Sequence, residues 1–266
     1  MLIANNPSVE QAAQSGQTGG SGRLAVLGGC GGIGRQLVIA AQQRGVSVAV
    51  LDLPASLARH PVPSGAIGIS VDATREKEVQ RAFAELEKQW GALDGFVNLC
   101  GFMHDNQALA TLPQTVWNEI IDGDLSSMFY AATAAMPLLN KGDQPAMVQA
   151  SSGLAQFIRP GFGAYAVAKA GVIALTKTLA LENAPAVRVN AVAPSAVDTA
   201  FLRGGTGRSN EDDEVHLDID AYVNAIPLKR IAVPTDIVEP ILFLLGEGSA
   251  YMTGQVLWIN GGAYMP

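Results

Sequence analysis

At 266 residues the chain can form one large domain or two small ones, with ample material for a buried core. Hydrophobic residues make up 48% and charged residues 15%, which suits an enzyme built on a sheet buried on both faces. A net charge of -7 argues against a nucleic-acid surface, and no apolar run reaches the length of a membrane span.

Residues 1–22 are polar and rich in Gly, Ser, Gln and Asn, and lack the basic start and apolar centre of a signal peptide. They read as a flexible N-terminal tail. From Arg23 the hydrophobic period alternates. RLAVLG reads as a strand and IGRQLVIAAQQRG as a helix; VSVAVLDL and AIGISV are strands. TREKEVQRAFAELEKQW is an amphipathic helix with Val79, Phe83, Leu86 and Trp90 on one face. LDGFVNL is a strand, and Gln114 to Leu139 forms one long helix or a broken pair. AMVQAS is a strand, and the Ala-rich run from Ala164 is a helix. AVRVNAVA is a strand, Thr235 to Leu245 a helix with Pro234 at its start, and QVLWIN a last strand. Seven strands alternating with helices predict an α/β fold: a single-domain, doubly wound, Rossmann-type parallel sheet over 23–266 with helices on both faces. No internal repeat or second-domain linker interrupts it. The two cysteines, Cys30 and Cys100, sit beside glycines after strands, so a disulfide is not expected and a reducing cytoplasm fits.

The first strand runs into Gly28-Gly29-Cys30-Gly31-Gly32-Ile33-Gly34 and opens a helix. Glycines let backbone turn sharply and approach a pyrophosphate, which then rests on the helix N-terminus. Two registers fit: Gly29, Gly31 and Gly34 as G-x-G-x-x-G, or Gly28, Gly32 and Gly34 as G-x-x-x-G-x-G. The second strand ends in Asp52, eighteen positions past Gly34. A carboxylate there accepts ribose hydroxyls and repels a 2′-phosphate. The residue before Gly32 is Gly31, so no basic side chain there offsets that repulsion. NAD is therefore expected over NADP.

Further along lie Ser152, Tyr165 and Lys169. Positions i and i+4 share a helix face, which puts Tyr165 and Lys169 one turn apart. A phenol has an ordinary pKa of about 10, and a nearby ammonium is expected to pull it down, as a general acid–base group requires. Ser152, after a strand end, can donate to a carbonyl or alcohol oxygen. Ser151 is the competing serine.

Taken together, these motifs resemble the short-chain dehydrogenase/reductase family over residues 23–266, and the C-terminal TGQVLWINGGAYMP looks like that of 3-oxoacyl-thioester reductases. The family register selects Gly28, Gly32 and Gly34, with Ile33 among the cofactor-binding residues. Asp72 and Ala73, in Val71-Asp72-Ala73, resemble the family's adenine-contacting stretch. Val97-Asn98-Leu99-Cys100-Gly101 is similar to its N-N-A-G stretch, which implies cofactor roles for Asn98 and Gly101. Pro194, Val197 and Thr199 fall on its P-G-x-V-x-T stretch, with Ser195 in place of Gly. The serine thirteen positions before the tyrosine matches the catalytic set Ser152, Tyr165 and Lys169. Asp124 stands where the family usually has Asn, on a water chain leading to the lysine, and Leu27 replaces a Thr.

The resemblance implies an oxidoreductase moving hydride between a secondary alcohol, such as a hydroxyacyl thioester or cyclic alcohol, and the nicotinamide. Tyr165 would be the acid/base, Lys169 would lower its pKa and hold the ribose, and Ser152 would steady the reacting oxygen. No metal is implied. Met103, His104, Leu154, Gln156 and Phe157 are expected to edge the pocket, with a substrate lid around 200–225. The helices near 115–139 and 163–181 could pair with a second subunit, and the family implies a homotetramer or homodimer acting on a small molecule, with neither nucleic acid nor membrane as partner. Two other readings are a non-catalytic dinucleotide-binding regulator and a sugar-nucleotide epimerase-like enzyme. Against the second, only 67 residues follow Thr199, too few for a separate substrate domain.

Overall fold

Short runs of Val, Ile, Leu and Ala bounded by glycines and polar turns form seven parallel strands. They are β1 (Arg23–Leu27), β2 (Ser47–Asp52), β3 (Ile67–Ser70), β4 (Gly95–Asn98), β5 (Ala146–Ala150), β6 (Arg188–Pro194) and β7 (Val256–Ile259). This computed structural model describes residues 22–265 apart from 105, 212, 215 and 216. The tail predicted for 1–22 thus falls, but for Gly22, outside the described residues.

The strand order is β3-β2-β1-β4-β5-β6-β7. Leu27 pairs with Leu51 on one side and Asn98 on the other, so the order reverses between β1 and β4. In a doubly wound sheet that reversal opens a crevice at the carboxyl ends of the strands. Alternation along each strand feeds two cores. Ala25, Leu27, Leu51, Phe96 and Met147 face one layer; Leu24, Val26, Val50, Val97 and Val148 face the other. A one-residue slip in register would exchange the two sets, which is what fixes the pairing. Each fully buried Leu or Val contributes about 1.5–3 kcal/mol of hydrophobic stabilisation.

The helices are α1 (Gly32–Gln43), α2 (Pro54–Arg59), α3 (Glu76–Trp90), α4 (Gln114–Ile121), α5 (Ser127–Leu139), α6 (Gly163–Asn183), α7 (Ile219–Ala225) and α8 (Pro234–Leu245). Leu37 and Val38 of α1 and Ile237 and Ile241 of α8 cover one face of the sheet. Val79, Phe83 and Leu86 of α3 and Ala131, Ala135 and Leu139 of α5 cover the other, where Trp90 packs at the edge.

Three features depart from the sequence reading. The α2 turn was not foreseen. The run Gln114 to Leu139 is one long helix, the first of the two expected forms, but a π-helical turn, Asp122–Ser126, interrupts its regular period between α4 and α5. And α6 is long and apolar enough, by length and composition alone, to cross a membrane, although no such run was expected. Half of that stretch is buried in the fold, and the helix carries Tyr165 and Lys169.

Candidate active site

The carboxyl ends of the strands open into a cavity of about 770 Å³. The loop after β1 forms its floor. Gly28 has φ of +79°, a left-handed conformation that glycine adopts without strain. A Cβ on Gly34 would collide with the Gly28 carbonyl oxygen, and a Cβ on Gly32 would lie 2.8 Å from Cβ of Thr199. Gly31 has an ordinary negative φ and meets only the Gly28 carbonyl oxygen, at 3.3 Å. Glycine is thus required at Gly28, Gly32 and Gly34, and also at Gly29, where a Cβ would lie 2.8 Å from the Val50 side chain; of the two registers only G-x-G-x-x-G contains Gly31, which has room. No side chain caps the first turn of α1, so its backbone N–H groups are left for an anion.

Asp52, at the end of β2, lines the cavity. Its carboxylate accepts from Cys30 N at 2.9 Å and Leu53 N at 2.8 Å. Burial pushes this carboxyl above the usual range, against those two donors. Cys30 is the hub beneath it. Its carbonyl accepts from Arg35 and its thiol, pushed up to about 12 by burial, points at the His60 carbonyl. Asp72 and Ala73 line the same end, with Asp72 holding Thr74 through both N and Oγ1. This glycine cradle, uncapped helix turn and pair of carboxylates fit a dinucleotide, with the pyrophosphate on α1 and the adenosine beside Asp52 and Asp72. Asn98 is different. It is fully buried and does not line the cavity; its Oδ1 accepts from Cys100 N at 3.1 Å and shapes the loop.

At the far end stand Ser152, Tyr165 and Lys169, all lining the cavity and all at least nine-tenths buried. The hydroxyl of Ser151 donates to the Lys169 carbonyl at 2.8 Å, which commits it to holding α6. Ser152 accepts from Leu154 N at 3.2 Å, and its hydroxyl is near enough to Tyr165 to favour the phenolate. Tyr165 and Lys169 do share a helix face, but the lysine's ammonium is directed to other partners. Its Nζ lies 5.6 Å from the centre of the Tyr165 ring and is turned inward, 3.1 Å from Asp124 Oδ1 and 3.2–3.3 Å from the carbonyls of Ala150 and Cys100. The expected lowering of the tyrosine pKa is therefore overturned. Burial pushes the Tyr165 phenol well above its ordinary value, the Asp124 charge adds to this, and the Ser152 hydroxyl opposes it only in part.

Asp124 itself is wholly buried and does not line the cavity; it reaches the site through Lys169. The π turn is what aims it inward, and such turns recur at functional sites. Gly101 makes room for the pair: a Cβ there would strike both Asp124 Oδ1 and Lys169 Nζ.

Pro194, Val197 and Thr199 line the cavity after β6. Sequence reasoning missed their partner Tyr222 of α7, whose hydroxyl bonds Ser195 Oγ and accepts from Ala196 N at 3.0 Å. It also missed how the expected lid is held. Thr206 and Arg208 line the cavity, and Ser56 Oγ donates to Thr206 O at 3.2 Å. The Glu211 carboxylate lies 3.0 Å from His60 Nε2 and 3.5 Å from Arg59 Nε. Of the expected rim, Met103, His104, Leu154 and Phe157 line the cavity and Gln156 does not. His104 is engaged with Glu119 at 3.0 Å.

A family model described as "Enoyl-(Acyl carrier protein) reductase" matches residues 28–264. A 3-oxoacyl-[acyl-carrier-protein] reductase, FabG, of Staphylococcus epidermidis is 32% identical over 248 residues, covering 90% of this chain and 98% of its own. The short-chain dehydrogenase fogB of Aspergillus ruber is 32% identical, covering 91% and 96%. Among solved structures, Thermoplasma acidophilum aldohexose dehydrogenase superposes with a TM-score of 0.82 at 26% identity, covering 92% of this chain and 96% of its own. A Brucella melitensis 3-ketoacyl-(acyl-carrier-protein) reductase, solved with NADH, gives a TM-score of 0.82 at 23% identity, covering 92% and 98%; at that identity it speaks for the fold alone.

Proposed function

The chain belongs to the short-chain dehydrogenase/reductase family of oxidoreductases, and from that premise we propose that it is an NAD(H)-dependent enzyme interconverting a secondary alcohol and its ketone. The observation that carries this is the convergence of Ser152, Tyr165 and Lys169 on one wall of a cavity whose other end is built for a dinucleotide. When bound, the nicotinamide supplies or accepts the hydride. The chain's own residues do the rest. Ser152 holds the substrate oxygen, and Tyr165 gives it a proton in reduction or takes one in oxidation. Lys169, fixed by Asp124 and two carbonyls, presents a positive charge next to the bound ribose. Tyr165 is the group placed to pass that proton in either direction. Resemblance to 3-oxoacyl-[acyl-carrier-protein] reductases makes a 3-oxoacyl thioester the first substrate to try. Asp52 supports NAD over NADP, and the residues read as a cytoplasmic enzyme that assembles as a homodimer or homotetramer.

The test is turnover of a panel of ketones, acyl thioesters and alcohols with NAD(H) and NADP(H). Tyr165→Phe should keep the fold and cofactor binding and lose at least a thousandfold in kcat. Substantial activity left in that variant would refute the assignment. One observation favours a second reading, a non-catalytic dinucleotide-binding regulator: the buried Asp124 both neutralises Lys169 and opposes the phenolate. Tight cofactor binding with no turnover across the panel would select it.

A further inference from the structure

In a chain with a net charge of -7, the cavity has an uneven charge pattern. Its only carboxylates among the described lining residues are Asp52 and Asp72, both at the adenosine end. Its cations are Arg159, Lys169, Arg203 and Arg208. Two of these are accounted for: Lys169 is paired with Asp124, and Arg203 donates to the Thr199 carbonyl at 3.4 Å. The guanidinium groups of Arg159 and Arg208 have no hydrogen-bond acceptor among the described residues. Each is held instead by a ring, Arg159 over Phe157 at 5.3 Å and Arg208 over Phe102 at 4.0 Å.

Phe157 is itself fixed, stacked on Tyr264 at 5.5 Å, and the Tyr264 carbonyl accepts from Asn260 Nδ2 at 2.7 Å. Contact with a ring uses none of the guanidinium's N–H donors, so Arg159 keeps them available. A planar fork held this way at the rim matches a carboxylate in two-pronged geometry. It also follows Ser152 by only seven positions, on the same loop.

Resting on the oxidoreductase reading, we propose that the substrate is an anion: an alcohol or ketone carrying a free carboxylate, which Arg159 binds at the cavity rim while Arg208 adds to the positive field of that half. The carboxylate fixes the register of the chain, so that the carbon bearing the oxygen falls opposite Tyr165 and Ser152.

The test compares hydroxy acids, straight-chain and aryl, with their methyl esters, using the full-length protein and NAD. The acids should show kcat/KM at least tenfold above the matched esters, and Arg159→Ala should collapse that ratio toward one through KM. Arg159→Lys should restore part of it. Esters that equal or exceed acids, or an acid preference that survives Arg159→Ala, would overturn the proposal. So would turnover confined to phosphopantetheine thioesters, whose anion is a phosphate remote from the carbonyl. Calorimetry on Tyr165→Phe loaded with NAD separates this from failure of the oxidoreductase reading, because it needs no turnover. Binding of the acid there, weakened at least tenfold by adding Arg159→Ala, would support anion recognition even if no panel member reacts. Equal binding of acid and ester would refute it.

Discussion

The carboxylate of Asp124 and the ammonium of Lys169 stand 3.1 Å apart with almost no exposure of either side chain. Breaking a buried ion pair by removing one partner costs about 3–5 kcal/mol, because the other charge is left unpaired. Asn at 124 keeps an oxygen for the ammonium, and the carbonyls of Cys100 and Ala150 remain, so Asp124→Asn should cost less, about 1–3 kcal/mol in thermal or denaturant unfolding. Its clearer signature is in pH. The Asp124 charge disfavours the Tyr165 phenolate, so removing it makes the phenol a stronger acid. Oxidation needs the phenolate, so the lower limb of kcat/KM for alcohol oxidation should move to lower pH, with activity within about tenfold of the parent. A limb that moves upward would mean that Asp124 is protonated and donates a hydrogen bond. Asp52 carries a second expectation. Its carboxylate would meet a 2′-phosphate, so the parent should prefer NAD, and Asp52→Ala should narrow the kcat/KM gap to NADP by about tenfold or more. Equal use of both cofactors by the parent would remove the argument.

The segment from Ala200 to α7 is tied down in its middle and at α7. Tyr222 ties it to Ser195 and Ala196 beside the catalytic wall, and Glu211 ties it to His60 and Arg59 beside the adenosine end. Although burial opposes it, the bond to His60 and the charges of His60 and Arg59 hold the Glu211 carboxyl below its usual range. That clasp should retain the cofactor rather than do chemistry. Glu211→Gln is expected to raise KM for the cofactor by about three- to tenfold and speed its release in stopped-flow fluorescence, with kcat little changed. A fall in kcat at constant KM would place Glu211 on the chemical step instead.

Over the surface, large apolar side chains are exposed on the two helices beside the site. Phe129 on α5 is 49% exposed and Val167 on α6 is 47% exposed. Val167 sits between Tyr165 and Lys169 in sequence, so a second chain packed there would stiffen the helix that carries both. Light scattering should give two or four times the chain mass, and Phe129→Glu with Val167→Glu should shift it to the single chain and lower the melting temperature. A single chain in the parent would refute the pairing of these helices.

The strands, their parallel order and the glycine loop were legible in the residues, because burial on both faces leaves unbroken apolar runs and because only glycine fits the left-handed turn at Gly28. The spacing of Ser152, Tyr165 and Lys169 was likewise enough to bring them to one wall. Spacing could not say where the lysine points. An i+4 interval fixes the position of Cα, whereas a four-carbon stem goes to the strongest partner within reach, and that partner, Asp124, lies 45 positions earlier on a π turn that the regular 3.6 period hides. The lid contacts were out of reach for a related reason. Ser56 with Thr206, His60 with Glu211 and Ser195 with Tyr222 are pairs of ordinary polar residues on loops and short helices. Each acquires its role only when the fold brings distant segments within 3–4 Å, and nothing in the local pattern of either segment marks it.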